Sequence, residues 1–233
     1  IYVVGGLLVK SYNIKGKLVK LQPNKIPKPG QNERDFKQSI YSLLTISTFL
    51  AGGITLNVYG YTLFPVSTTS WPYIVGEILI SLFLFDTWFY WFHRLIHHKF
   101  FFRYVHAWHH YSSTPTVWSN NSDSFLDNCF LQSYWLLAPV VLPFSPLVFL
   151  IHKAFDQITG MLGHAGYEYS GKLALYPSPL LSTTHHDLHH SAIRCNYATH
   201  FSIWDRLMGT LHPNYDQLFR ENLLQKTNNK NHE

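Results

Sequence analysis

From Ser39 to Phe64 the chain reads "SIYSLLTISTFLAGGITLNVYGYTLF", without a single charged residue. A second apolar run, "YIVGEILISLFLFDTWFYWFHRLIHH" at 73–98, follows the short uncharged turn "PVSTTSWP". A helical bilayer crossing takes about 20 mostly apolar residues. In lipid every backbone N–H and C=O must be satisfied within the segment or its neighbours, which makes helices the natural reading of both runs. The second run overshoots: its length corresponds to about 39 Å of helix against about 30 Å of hydrocarbon. Its last turns, with His93, His97 and His98, should emerge at the membrane surface, next to the aromatic stretch Trp88 to Phe92.

Only 13% of residues are charged, about half the share usual in soluble domains, which fits a chain partly solvated by lipid. The formal net charge is +5, and much of it lies early, in Lys10, Lys15, Lys17, Lys20, Lys25, Lys28, Arg34 and Lys37. Beside apolar runs, such a basic stretch reads as a cytoplasmic connection rather than a nucleic-acid arm. Two spans return the chain to that side, so the histidine end is expected to be cytoplasmic in a multi-pass membrane protein. Cys129 and Cys195 stand in no disulfide-type or metal-type spacing.

Residues 1–9 are apolar but too short to span, and the start at Ile1 leaves room for a leading segment. Residues 10–38, with Pro23, Pro27, Pro29 and Gly30, read as a polar connection. The run 128–162 carries Pro139, Pro143 and Pro146 at its middle, which predicts two helices joined by a bend, dipping into the membrane and returning. The expected organisation is an N-terminal segment (1–38), a membrane-embedded catalytic domain (39–213) and a polar C-terminal tail (214–233), disordered at "KTNNKNHE". The fold class is all-α: an integral membrane helical bundle under a cytosolic helical cap.

The chain has 15 histidines. Three short blocks, "HRLIHH", "HAWHH" and "HHDLHH", hold His93, His97, His98, His106, His109, His110, His185, His186, His189 and His190. On a helix, positions i, i+3 and i+4 share a face. His106, His109 and His110 follow that pattern, as do His186, His189 and His190, and His93 and His97 lie four apart. Each block thus aims imidazoles at one point, as metal ligation requires. Imidazole suits zinc, copper, iron and nickel alike. One tetrahedral zinc is filled by four ligands, so this many histidines argue for two metals. No HExxH peptidase pattern is present.

These blocks, with "DTWFYWFHR" before the first, "TPTVW" after the second, and "GHAGYE" and "NYATHFSIWDRLMGT" around the third, resemble the fatty acid hydroxylase superfamily, also called the sterol desaturase family. The resemblance covers residues 73–213. It implies a histidine-rich dimetal centre, iron in the active state, held by a cytosolic cap on membrane helices. It implies a non-haem di-iron monooxygenase that uses O2 to hydroxylate or desaturate an aliphatic C–H of a sterol, fatty acyl or related isoprenoid lipid. The implied ligands are His93, His97 or His98, His106, His109, His110, His164, His186, His189 and His190, with first-block spacing leaving His97 and His98 in competition. Some members carry a second histidine where this chain has Glu168, a carboxylate able to bind metal or orient a ligand. Many carry an HPxE-like stretch where this chain has "NSDSFLDN", with Ser124 and Asp127 near those positions. That departure touches the substrate channel rather than the ligands. Trp204, Asp205 and Arg206 match a stretch expected to be structural.

Supporting candidates are Asp86, Glu168, His185, Asp187 and His200. Asp86 lies two helical turns before His93 on the same face, and an acid inside a span marks a functional suspect. Asp187 either fixes the tautomer of a neighbouring imidazole or pairs with Arg194 or Arg206. His152 is expected to be hydrogen-bonded in the apolar hairpin, and His212 and His232 to be solvated. There is no dinucleotide fingerprint and no haem- or cluster-type cysteine pattern. Electrons would therefore come from a separate haem or iron–sulfur carrier with its reductase. The lipid substrate would come from the bilayer. An all-imidazole site also accepts zinc during purification. The rival readings are a membrane zinc-dependent hydrolase and a metal carrier, the latter disfavoured because the ligands are spread over distant segments.

Overall fold

The computed structural model describes residues 1–15, 18–66, 70–169 and 179–231. His232 and the centre of the turn at 67–69 lie outside them. Helices carry the chain: α1 (Tyr2–Lys15), α2 (Gln31–Val58), α3 (Trp71–Ile96), α4 (Lys99–Val105), α5 (Ala107–His110), α6 (Phe125–Leu131), α7 (Tyr134–Val141), α8 (Pro146–Gly163), α9 (Thr183–Ala192), α10 (Ile203–Leu207) and α11 (Tyr215–Asn231). Two short strands, β1 (Val19–Lys20) and β2 (Tyr167–Glu168), pair antiparallel.

The two longest helices are the two apolar runs, and both are long and apolar enough to cross a membrane. Their greasy residues mostly face outward. On α2, Tyr41, Leu44 and Val58 are exposed, and on α3, Tyr73, Val75 and Leu79. A continuous apolar face of this kind is a liability in water and an ordinary outer surface in lipid. The inner sides of α2 and α3 enclose a core of Ile46, Phe85, Trp135, Val148 and Phe149 with α7 and α8. Gly53 permits the closest approach, since a Cβ there would lie 2.5 Å from the carbonyl oxygen of Trp135 on α7.

α2 starts eight residues before the predicted span. Gln31, Asp35, Ser39 and Ser42 form one buried polar stripe at helical spacing. Asp35 accepts hydrogen bonds from the hydroxyls of Ser112, Ser119 and Ser122. Gln31 donates to the Thr114 carbonyl, and Ser39 to that of Trp118. Part of the expected polar connection is thus a helix face that anchors the loop following the second histidine block.

The predicted hairpin has its bend at Leu142–Ser145, with Pro146 opening α8 behind Ser145. A further break separates α6 from α7. Toward the C-terminus, α11 docks on α9, with Tyr215 and Phe219 fully buried. The helix continues to Asn231, where the sequence reads as disordered from 226 onward.

Candidate metal centre

The overshooting end of α3 carries His93 and, at its C-cap, His97. His106 joins α4 to α5, which holds His109 and His110. The C-cap of α8 is His164, and one side of α9 presents His186, His189 and His190. Their ring nitrogens gather into two groups, each with ligand atoms within 4.8 Å of one another: His93, His97, His106, His110 and His189 in one, His109, His164, His186 and His190 in the other. The groups adjoin, with the ring centroids of His106 and His109 5.1 Å apart and those of His110 and His190 4.9 Å apart.

Within the groups Nε2 faces Nε2. The separations are 3.0 Å for His93–His106 and 3.2 Å for His97–His110 in the first group. In the second they are 2.8 Å for His164–His186, 3.0 Å for His186–His190 and 3.4 Å for His109–His164. Imidazole nitrogens at about 2.1 Å from one ion and at right angles about it sit about 3 Å apart, so the spacing fits shared ions. Outer partners set the tautomers. Nδ1 of His93 donates to the Tyr197 carbonyl and Nδ1 of His189 to that of Cys195, both at 2.7 Å, and Nδ1 of His164 donates to that of Gly160 at 2.8 Å. A carbonyl only accepts, so these rings carry their proton on Nδ1 and turn the Nε2 lone pair inward. The inward Nε2 of His189 is buried with no hydrogen-bond partner among the described residues. That lone pair costs free energy unless something binds it.

One carboxylate does the same for His106 in the second block, and another stands beside His109. Asp127, fully buried on α6, takes Nδ1 of His106 at 2.6 Å. Asp123, on the loop anchored by α2, lies 2.9 Å from Nδ1 of His109. Asp127 was expected near the substrate channel, and Asp123 was not singled out. Two acids four residues apart, soon after a histidine block in a chain poor in acids, are the signal that points to them.

The remaining candidates divide clearly. His97 joins the first group, whereas His98 is exposed and its Nδ1 accepts from the Phe100 N–H at the start of α4. His185 lies outside both groups and donates to Asp205, 3.0 Å away. Asp205 also accepts the N–H groups of Tyr197 and Ala198, so it shapes the turn that supplies a carbonyl to His93. Glu168 takes the N–H and hydroxyl of Thr184, fastening the start of α9 rather than joining a ligand group. Asp187 accepts from Gln22 at 2.8 Å instead of orienting an imidazole, and Arg206 pairs with Asp216. Burial raises the Asp187 carboxyl to about 6. Asp86 accepts the backbone N–H groups of Thr199, His200 and Phe201, so this acid inside a span holds the segment after the third block. His152 bonds Ser81, as expected of a hydrogen-bonded residue in the hairpin.

Burial first, and neighbouring imidazoles second, hold His106, His110, His186, His189 and His190 well below the ordinary 6.5. Unfolding frees these rings to take up protons below pH about 6.5. Their contribution to stability is complete above that pH and is lost as the pH falls from it. The metal-free protein should therefore melt at a lower temperature at pH 5.5 than at pH 7.5. An equal or higher melting temperature at pH 5.5 would contradict this.

A cavity of about 500 Å³ opens from His93, His106, His109, His164 and His186 toward apolar side chains of α3, α6 and α8. Leu79, Leu82, Phe89, Leu131 and Phe155 line that part.

These features define a helical, lipid-facing protein with paired histidine groups at the mouth of an apolar cavity. The chain belongs to the fatty acid hydroxylase family, whose model matches residues 78–210. It is 29% identical to cholesterol 25-hydroxylase of Rattus norvegicus over 76% of this chain and 63% of the relative. It is 30% identical to the Mus musculus protein of the same name over the same shares. With lathosterol oxidase of Homo sapiens it shares 28% identity over 77% of this chain and 61% of the relative. The chain thus spans about three fifths of the length of these relatives. No solved structure matches it.

Proposed function

We propose that the chain is the catalytic part of a membrane-bound, O2-dependent oxidoreductase that hydroxylates or desaturates an aliphatic C–H of a lipid. The observation that carries this reading is the pair of adjoining histidine groups opening into one apolar cavity. Family membership and relatives named for sterol oxidation support it.

Two iron ions, one per group, would supply the activation of dioxygen and the oxidising power that C–H cleavage needs. His93, His97, His106, His110 and His189 would hold one, and His109, His164, His186 and His190 the other. The protein's own work is positional. Asp127 and the carbonyls of Tyr197, Cys195 and Gly160 keep Nδ1 of His106, His93, His189 and His164 protonated, so that these Nε2 atoms stay available, and Asp123 stands beside Nδ1 of His109. The apolar walls admit a lipid chain from the bilayer and exclude bulk water from the reacting carbon. The histidine side faces the cytoplasm, where a separate electron carrier docks. Residues 39–213 form the catalytic domain, and α11 packs on α9. Zinc bound after purification would be a substitute at the same nitrogens. As a catalytic zinc hydrolase the chain would carry more imidazoles than one such ion takes.

The test is anaerobic loading with Fe(II) in lipid nanodiscs, followed by a chemical reductant, ¹⁸O2 and a panel of sterols and fatty acyl lipids. An O2-dependent product, either an ¹⁸O-labelled alcohol or an alkene, is expected. Turnover by the zinc-loaded protein without O2 would contradict the proposal.

A further inference from the structure

Away from the histidine groups, the cavity wall carries a polar patch that the metal chemistry does not use: Gln132, Lys153, Asp156 and His200. Charged groups among apolar helices are costly and mark functional positions. Lys153 and Asp156 on α8 pair at 2.7 Å, their side chains only 12% and 13% exposed. Lys153 also donates to the side-chain oxygen of Gln132 and lies over the Trp135 ring. Across from them His200 is buried, with its Nε2 3.6 Å from Asp156 Oδ1. That separation is too long for a hydrogen bond, and the Nε2 has no other partner among the described residues. The ring has little freedom to close the gap. The backbone N–H of His200 donates to Asp86, and its ring lies against Phe85 and Phe155.

We propose that this patch is a second subsite that binds the hydroxyl group of a neutral lipid alcohol and thereby selects which carbon reaches the histidine groups. An oxygen about 2.8 Å from each of two atoms closes the gap between Asp156 Oδ1 and His200 Nε2. A hydroxyl can donate to the carboxylate and accept from the imidazole at once. A fatty acid carboxylate matches less well, because it can only accept and would meet the charge of Asp156. The patch as a whole, one cation beside one anion, is neutral and suits a neutral guest.

The helices give the span. Asp86, which holds His200, precedes His93 by seven residues on α3, about 10 Å of helix. Asp156 precedes His164 on α8 by eight residues, about 12 Å. The preferred substrate is therefore a lipid alcohol whose oxidised carbon lies about 10–12 Å from its hydroxyl. This rests on the oxygenase reading for the word substrate, but the subsite itself is open to test by binding alone.

Iron-loaded protein in nanodiscs is titrated with cholesterol and with 1-octadecanol, each against its deoxy counterpart, and with stearate. At least one alcohol should bind about tenfold tighter than its deoxy partner, the worth of one well-placed hydrogen bond. Asp156→Asn and His200→Phe should each reduce that preference to under about threefold by weakening the alcohol alone. Two substitutions on different elements, with unchanged helicity and metal content as controls, separate loss of the subsite from misfolding. The proposal is overturned if neither alcohol is preferred, if stearate binds tightest, or if both variants keep the full preference. Binding with this preference but without O2-dependent product would sink the oxygenase reading and leave the subsite standing.

Discussion

His109→Ala should lower the metal content from two ions per chain toward about one and abolish turnover. The group left behind would hold only His164, His186 and His190. The substitution also strands Asp123, a buried carboxylate that loses its imidazole neighbour, and an uncompensated buried charge is destabilising in its own right. The loss of activity should exceed the roughly 10–100-fold that removal of an outer partner costs. His189→Ala attacks the other group and should also stop turnover, although four imidazoles remain there to retain an ion weakly. Metal analysis alongside product formation checks both. Full metal content and full activity in both variants would refute the ligand assignment.

Asp127→Ala should weaken metal binding and turnover by about 10–100-fold without removing any ligand. Asp127 is fully buried, and its one short contact is Nδ1 of His106. Without it the ring can flip or change tautomer, and its Nε2 no longer faces the first group reliably. Asp127→Asn keeps an oxygen acceptor at the same place. It should recover much of the loss, to within about tenfold of the parent. Chelator competition gives the affinities. If the asparagine and alanine variants were equally impaired, the side chain would matter for packing or charge rather than for holding the imidazole.

Much of the site was legible because histidine spacing and helix geometry carry the same information. The i, i+3, i+4 spacings at His106–His110 and His186–His190 pointed to the right side chains but not to how they are shared: His109 parts from His106 and His110 to join the second group, and His189 parts from His186 and His190 to join the first. The choice between His97 and His98 was not legible. It depends on where α3 stops, and that is set by the turn that makes His98 the N-cap of α4. The start of α2 was hidden for a different reason. Gln31 and Asp35 look like loop residues until their partners, Thr114 and the serines at 112, 119 and 122, are brought against them. The same long-range anchoring obscured Asp123, whose role exists only once its loop is folded back on α5. Asp187 misled through proximity. It sits amid four histidines in sequence, but on α9 it turns toward Gln22.

The two histidine groups are tested most directly by X-ray absorption at the iron edge on anaerobically loaded protein, with iron and protein quantified in the same sample. The account predicts two irons per chain in a nitrogen and oxygen environment with imidazole scattering and no sulfur. A single iron per chain, or sulfur from the nearby Cys195 in the first coordination sphere, would contradict it.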